Sequence, residues 1–214
     1  PDDAALSDKW LLALLASLDA RANAPAARAV PLARRALVEK PRFPGEVPSP
    51  SYGPGMIACS VLAMADLDEA LSHYDAAIAN AHRNGSMLDL ALAKMHRAQT
   101  LVHRGDLAEA EAEGREASDL CEEWGTSARL SAWTGAFLAD ALMEQGRLDE
   151  AATAYQRMID LKPFYQSYTR AAHVRWMKGD LEGALRAMRL ATASASPRDP
   201  ESSGRSDHRP ETDP

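Results

Sequence analysis

The segment Gly105-Asp106-Leu107-Ala108-Glu109-Ala110 reads as the end of one helix and the start of the next. Glycine suits the left-handed position just past a helix end. The aspartate can then accept from the unpaired N–H groups of the following first turn, and Glu109 stands three residues on, at capping-box spacing. The same device recurs as Ala65-Asp66-Leu67-Asp68-Glu69-Ala70, Gly146-Arg147-Leu148-Asp149-Glu150-Ala151 and Gly179-Asp180-Leu181-Glu182-Gly183-Ala184. From residue 65 to 105, 146 and 179 the intervals are 40, 41 and 33. Self-similarity at such periods means stacked helix pairs. A two-residue gap forces consecutive helices antiparallel, so each copy marks the inner turn of a helical hairpin. Ala70, Ala110, Ala151 and Ala184 recur because the two helices must approach closely there.

The outer turns repeat as well. Asn84-Gly85-Ser86 and Trp124-Gly125-Thr126 stand 40 residues apart, each with a stop glycine and a hydroxyl cap, while the third outer turn is Lys162-Pro163. Asp66 and Asp180 are read as caps alongside Asp106. These signals predict helices near 56–64, 67–84, 87–103, 107–124, 127–145, 147–161, 165–178 and 181–194. Leu101, Leu142, Tyr155 and Met188 are expected to fill the space between units. Upstream, Leu11, Leu14, Leu15 and Leu18 form a helical stripe over 7–22, and a second helix over 25–39 is interrupted or restarted at Pro31. Residues 1–40 are therefore expected as a separate helical pair. Segment 41–55, with five prolines and three glycines, reads as a linker; 56–194 is the repeat array. Residues 195–214, without leucine, isoleucine, valine or aromatics from Ser196 on, read as a disordered tail.

The bulk properties agree with packed helices. Of 214 residues, 46% are apolar but only 6% aromatic, so the apolar mass is mostly alanine and leucine. The net charge of −7 argues against a nucleic-acid-binding surface. Cys59 and Cys121 read as buried, reduced thiols rather than a disulfide framework. No run approaches 18 apolar residues and no secretory pattern opens the chain, so the expected location is cytoplasmic. The first residue is proline, which reads as a fragment or a processed product.

The last two units resemble tetratricopeptide repeats. Gly146, Ala151, Tyr155 and Pro163 fall at that family's glycine, alanine, aromatic and closing-proline spacing, and Gly179, Ala184 and Ala191 repeat it. The family's early tryptophan is absent, and Ala139 and Ala172 replace its first-helix glycine. Residues 8–154 look similar to the helical-repeat region of large ATP-binding LuxR-type transcriptional regulators, most of all over Gly85–Leu92 and His103–Glu111. The chain contains no GxxxxGK[ST] phosphate loop of such regulators. The expected fold class is all-α: a right-handed superhelical array of antiparallel helix pairs, an α-solenoid.

The first resemblance implies that the first helix of each unit lines a concave groove. Counted back from each signature glycine, the inward positions are Met95, Gln99 and His103, then Trp133, Asp140, Met143 and Glu144, then Thr169, His173, Trp176 and Met177. Gln99, His103, Trp133, Asp140, Glu144, His173 and Trp176 are the candidate partner-binding residues. Tryptophan anchors dominate many interfaces; Trp133 and Trp176 equally fit packing between units. Some family members grip a peptide carboxylate with lysine and asparagine. The corresponding positions here hold Met95 and Gln99, Ala136 and Asp140, Thr169 and His173, which do not support that mode. Asp140 and Glu144 instead favour a neutral or basic protein segment.

No catalytic or metal-binding chemistry is legible. Asp89, His96 and His103 share a helical face at seven-residue spacing, but seven residues span about 10 Å, too far for one ion to bridge the histidines. Asp140 and Glu144 lack an accompanying nucleophile motif, and the glutamates between Glu109 and Glu116 read as a solvated face. The expected function is a non-enzymatic module, without cofactor, that binds a protein or peptide through its concave face. The alternative is the effector- or partner-sensing segment of a LuxR-type regulator without its ATPase and DNA-binding parts.

Overall fold

The structure, a computed structural model, describes residues 2–37 and 53–195, with side chains from Ser7 onward. All regular structure among the described residues is helical: α1 Asp2–Arg21, α2 Ala26–Leu37, α3 Pro54–Leu62, α4 Leu67–Asn84, α5 Met87–Arg104, α6 Leu107–Glu123, α7 Ala128–Glu144, α8 Leu148–Leu161, α9 Tyr165–Met177 and α10 Leu181–Ala195. Successive helices pack against one another along the stack, and α5 also packs directly on α7. The core is divided into clusters lying between neighbours, as a stack of units requires.

The turns show why the sequence breaks where it does. Gly85, Gly105, Gly146 and Gly179 all take positive φ, between 64° and 92°. Asp66 accepts from the Glu69 N–H at 2.9 Å, and Asp180 from the Gly183 N–H at 2.8 Å. Asp106 departs from the expected pattern. It makes no capping bond, because its carboxylate is taken by Arg104. In the third copy Arg147 cannot cap and instead pairs with Glu150 on its own helix and with Glu111 of α6 at 2.6 Å. At the second outer turn the cap is Ser127, not Thr126; the Thr126 hydroxyl turns back to the Cys121 carbonyl.

The close approaches fall where the alanines recur. Ala70, Ala110 and Ala151 are completely buried and Ala184 nearly so. Gly114 belongs to the same set: a Cβ there would lie 3.1 Å from the Leu138 backbone, so an alanine would press α6 against α7 by a few tenths of an ångström. Leu101, Leu142 and Tyr155 fill the spaces between units as expected. Met188 does not, and remains 43% exposed. Cys59 and Cys121 are buried and free.

Two further differences concern the amino-terminal part. α2 runs without a break through Pro31, whose ring is exposed to solvent. α3 begins at Pro54, so residues 54 and 55 of the expected linker are already helical; 38–52 lie outside the described residues, as do 196–214 of the expected tail. Ala13, Ala16, Ala29 and Ala33 share one buried cluster with Leu62, Tyr74 and Ala93. Arg34 of α2 adds a bidentate ion pair to Glu69 of α4, at 2.7–3.2 Å. The pair α1–α2 packs onto the start of the array through these contacts.

Candidate functional site

The sequence-selected residues occupy three different environments. Gln99 and His103 from α5 meet Asp140 and Glu144 from α7 around a cleft of about 350 Å³, whose remaining wall is Val102 and Met143. Equal offsets from Gly105 and Gly146 produce this meeting, since α5 and α7 pack side by side. His103 and Glu144 are exposed and Gln99 and Asp140 half-buried, while Met95 does not line the cleft and is buried in the cluster with Leu92 and Phe137. The cleft combines an amide, an imidazole and two carboxylates above an apolar wall.

Asp140 is already engaged. Its carboxylate accepts from the Tyr155 hydroxyl of α8 and from the Arg170 guanidinium of α9. One side chain therefore ties three successive helices together. Burial alone would lower the Arg170 pKa, but the charge and hydrogen bonds of Asp140 outweigh it and hold that group above its ordinary value. Burial, reinforced by the adjacent carboxylate, raises the Tyr155 phenol. Glu144 forms no ion pair with any described residue, so it carries the cleft's uncompensated charge.

Trp133 lies elsewhere. It packs against Phe137 and Phe164, with ring centroids 5.8 and 5.6 Å away, and belongs to the clusters between units. The Arg170 guanidinium lies 5.8 Å from its ring centroid and 5.6 Å from that of Phe137. These contacts hold the half-buried Trp133 ring between units, with the cation over its face. His173 and Trp176 stack on each other 6.0 Å apart and line a separate apolar groove of about 410 Å³ between α9 and α10, together with Thr169, Leu185 and Met188.

His96 is internal to the stack. It stacks on Tyr74 with centroids 6.2 Å apart and tilts against Phe137 at 5.9 Å, its Nδ1 out of water and without a hydrogen-bond partner. Burial pushes its pKa down to about 4. No group of three metal-ligating side chains occurs among the described residues.

Sequence reasoning missed Arg170 and the Asp140–Tyr155 bond. The Tyr155 bond crosses between the two helices of one hairpin and Arg170 reaches in from the next unit, and no local spacing signals either. The apolar groove was half visible, through His173 and Trp176, but Leu181, Leu185 and Met188 look like core positions until the uncovered end is seen.

Antiparallel helix pairs with side-chain clefts between adjacent first helices define a helical-repeat scaffold. The tetratricopeptide-repeat family model matches residues 56–122 and 138–200, and the chain belongs to that family. The match includes the 40-residue units as well as the shorter end. Repeats of this family are in general protein–protein interaction modules. No curated protein sequence matches the chain. Among solved structures it is similar to BtubC (BKLC) from P. vanneervenii, at 19% identity and a TM-score of 0.60, covering 95% of this chain and 86% of that one. A kinesin light chain from Podosopora anserina with nearly identical TPR-like repeats gives 14% identity and a TM-score of 0.60, covering 88% and 93%. MamA (41-end) from Desulfovibrio magneticus RS-1 gives 18% and 0.53, covering 88% and 98%. At these identities the likeness is one of fold. No described helix is long and apolar enough to cross a membrane.

Proposed function

We propose that the chain is a non-enzymatic binding module that takes an extended protein segment in the α5–α7 cleft on its concave face. The carrying observation is that Gln99, His103, Asp140 and Glu144 line one cleft although the two pairs are offset by 41 residues. Gln99 offers both a donor and an acceptor to a peptide backbone. Met143 and Val102 supply an apolar contact beside it. Glu144 sets the polarity: with Asp140 neutralised by Arg170, a lysine or arginine of the partner would answer the one exposed carboxylate.

Site-directed photo-crosslinking tests this reading. A benzophenone side chain placed at position 99 should give a discrete protein adduct in cells. The same group at Thr153, which lines a different face with Arg157, should give none of that species. Adducts from position 153 with none from 99 would overturn the cleft assignment.

A further inference from the structure

The two ends of the stack expose apolar surface of complementary form. In the third signature unit Met143 and Tyr155 are 8% and 1% exposed, because Ala171 and Val174 of α9 cover them. Moved on by the 33 residues between the last two signature copies, those positions become Trp176 and Met188, which are 60% and 43% exposed. Leu148 and Ala152, both half-buried, become Leu181 and Leu185, at 60% and 59%. The α9–α10 groove is therefore the face that a following helix covers one unit earlier. Among the described residues nothing covers it here. Residues 196–214 contain no leucine, isoleucine, valine or aromatic side chain to fill it.

At the other end, α1 packs through Ala13 and Ala16, both fully buried, and turns the opposite face outward. That face carries Leu11, Leu14, Leu15 and Leu18 at i, i+3, i+4 and i+7, between 42% and 62% exposed. A leucine ridge thus stands at the head of the array and an apolar groove at its tail. Five large apolar side chains lie half-exposed at each end, Trp10 and Met177 included. At on the order of 100 Å² each, joining the two faces removes about 1,000 Å² from water, the size at which specific interfaces begin.

We infer that the occupant of the α9–α10 groove is α1 of a second copy of this chain, so that copies stack head to tail and the solenoid continues from one molecule into the next. The contact repeats the way α9 covers α8 within the chain. It is heterologous, since head and tail are different surfaces, and it leaves a free end on every assembly. It is distinct from the α5–α7 cleft and stands or falls separately.

Sedimentation velocity on the full chain from about 1 to 100 μM is the test. The wild-type protein should shift with concentration through dimers to longer species. Leu14→Arg, at the head, and Leu185→Arg, at the tail, should each weaken association about tenfold or more. Both positions are exposed, and unchanged ellipticity checks the fold of each variant. An equimolar mixture of the two variants retains one intact head and one intact tail, and should form a dimer that grows no further. A wild-type protein monomeric at 100 μM would overturn the inference, as would a dimer lost in one variant but not the other. Failure of the mixture to associate while the wild type does would overturn it as well.

Discussion

Removing Asp140 should loosen three helices at once, and the cost can be worked from its neighbourhood. The carboxylate is 17% exposed and its Arg170 partner 24%, so the pair is mostly but not fully withdrawn from water. Asp140→Ala leaves the guanidinium and the Tyr155 hydroxyl without their acceptor. Breaking a buried pair costs about 3–5 kcal/mol; partial water access at Arg170 brings the expectation to about 3 kcal/mol. Arg170→Met removes the same ion pair and the cation–π contacts to Trp133 and Phe137, worth about 1 kcal/mol, and should cost about 2–3 kcal/mol. With both substitutions no charge is stranded, and only the Tyr155 hydroxyl lacks a partner, at about 1–2 kcal/mol. The double variant should therefore be about 2 kcal/mol or more better than the sum of the singles. Urea unfolding followed by ellipticity and by tryptophan fluorescence measures this, coincident transitions confirming that one equilibrium is read. Additive losses, within about 0.5 kcal/mol, would refute the claim that the carboxylate and guanidinium act as one unit.

Other expectations test the packing and the interior. Gly135→Ala, where a Cβ meets nothing within 4 Å, should stabilise α7 by about 0.5–1 kcal/mol through helix propensity alone. Gly114→Ala meets the Leu138 backbone at 3.1 Å and should give no such gain or a loss of about 1–2 kcal/mol, read in the same urea titrations. His96 has a folded-state pKa near 4, against about 6.5 unfolded, so between those values the unfolded chain binds more protons. Its contribution is present above pH 6.5 and is lost at about 1.4 kcal/mol per pH unit down to pH 4. His96→Phe should flatten that part of the stability–pH curve, and an unchanged slope would contradict the assignment.

The helix boundaries were legible because glycine with positive φ and a short polar cap leave a local trace, seen at Gly85-Ser86 and Gly179-Asp180. The trace fails where a side chain has two possible employers. Asp106 prefers Arg104 to the helix end, and Thr126 prefers the Cys121 carbonyl, which passes the cap to Ser127. Pro31, suited to a first helical turn, predicts an interruption or restart; α2 instead runs through it, with the ring on the solvent face. In the site, equal offsets from successive glycines brought Gln99 and His103 to Asp140 and Glu144. The same counting treated Trp133 and Trp176 alike. Trp133 is enclosed by Phe137 and Phe164 between units, while Trp176 lies on a face that no described helix follows. Whether a next helix exists is a tertiary fact, with no signature in the residues that wait for it.

The cleft's exposed carboxylate gives the most direct test of the proposed function. A peptide array of fixed length, varied systematically in charge and in aliphatic content, would be probed with the wild-type protein and with Glu144→Lys. The wild type should favour segments with lysine or arginine beside an aliphatic residue, and the charge reversal should move that preference to aspartate and glutamate. An identical preference in the two proteins would contradict recognition through the α5–α7 cleft.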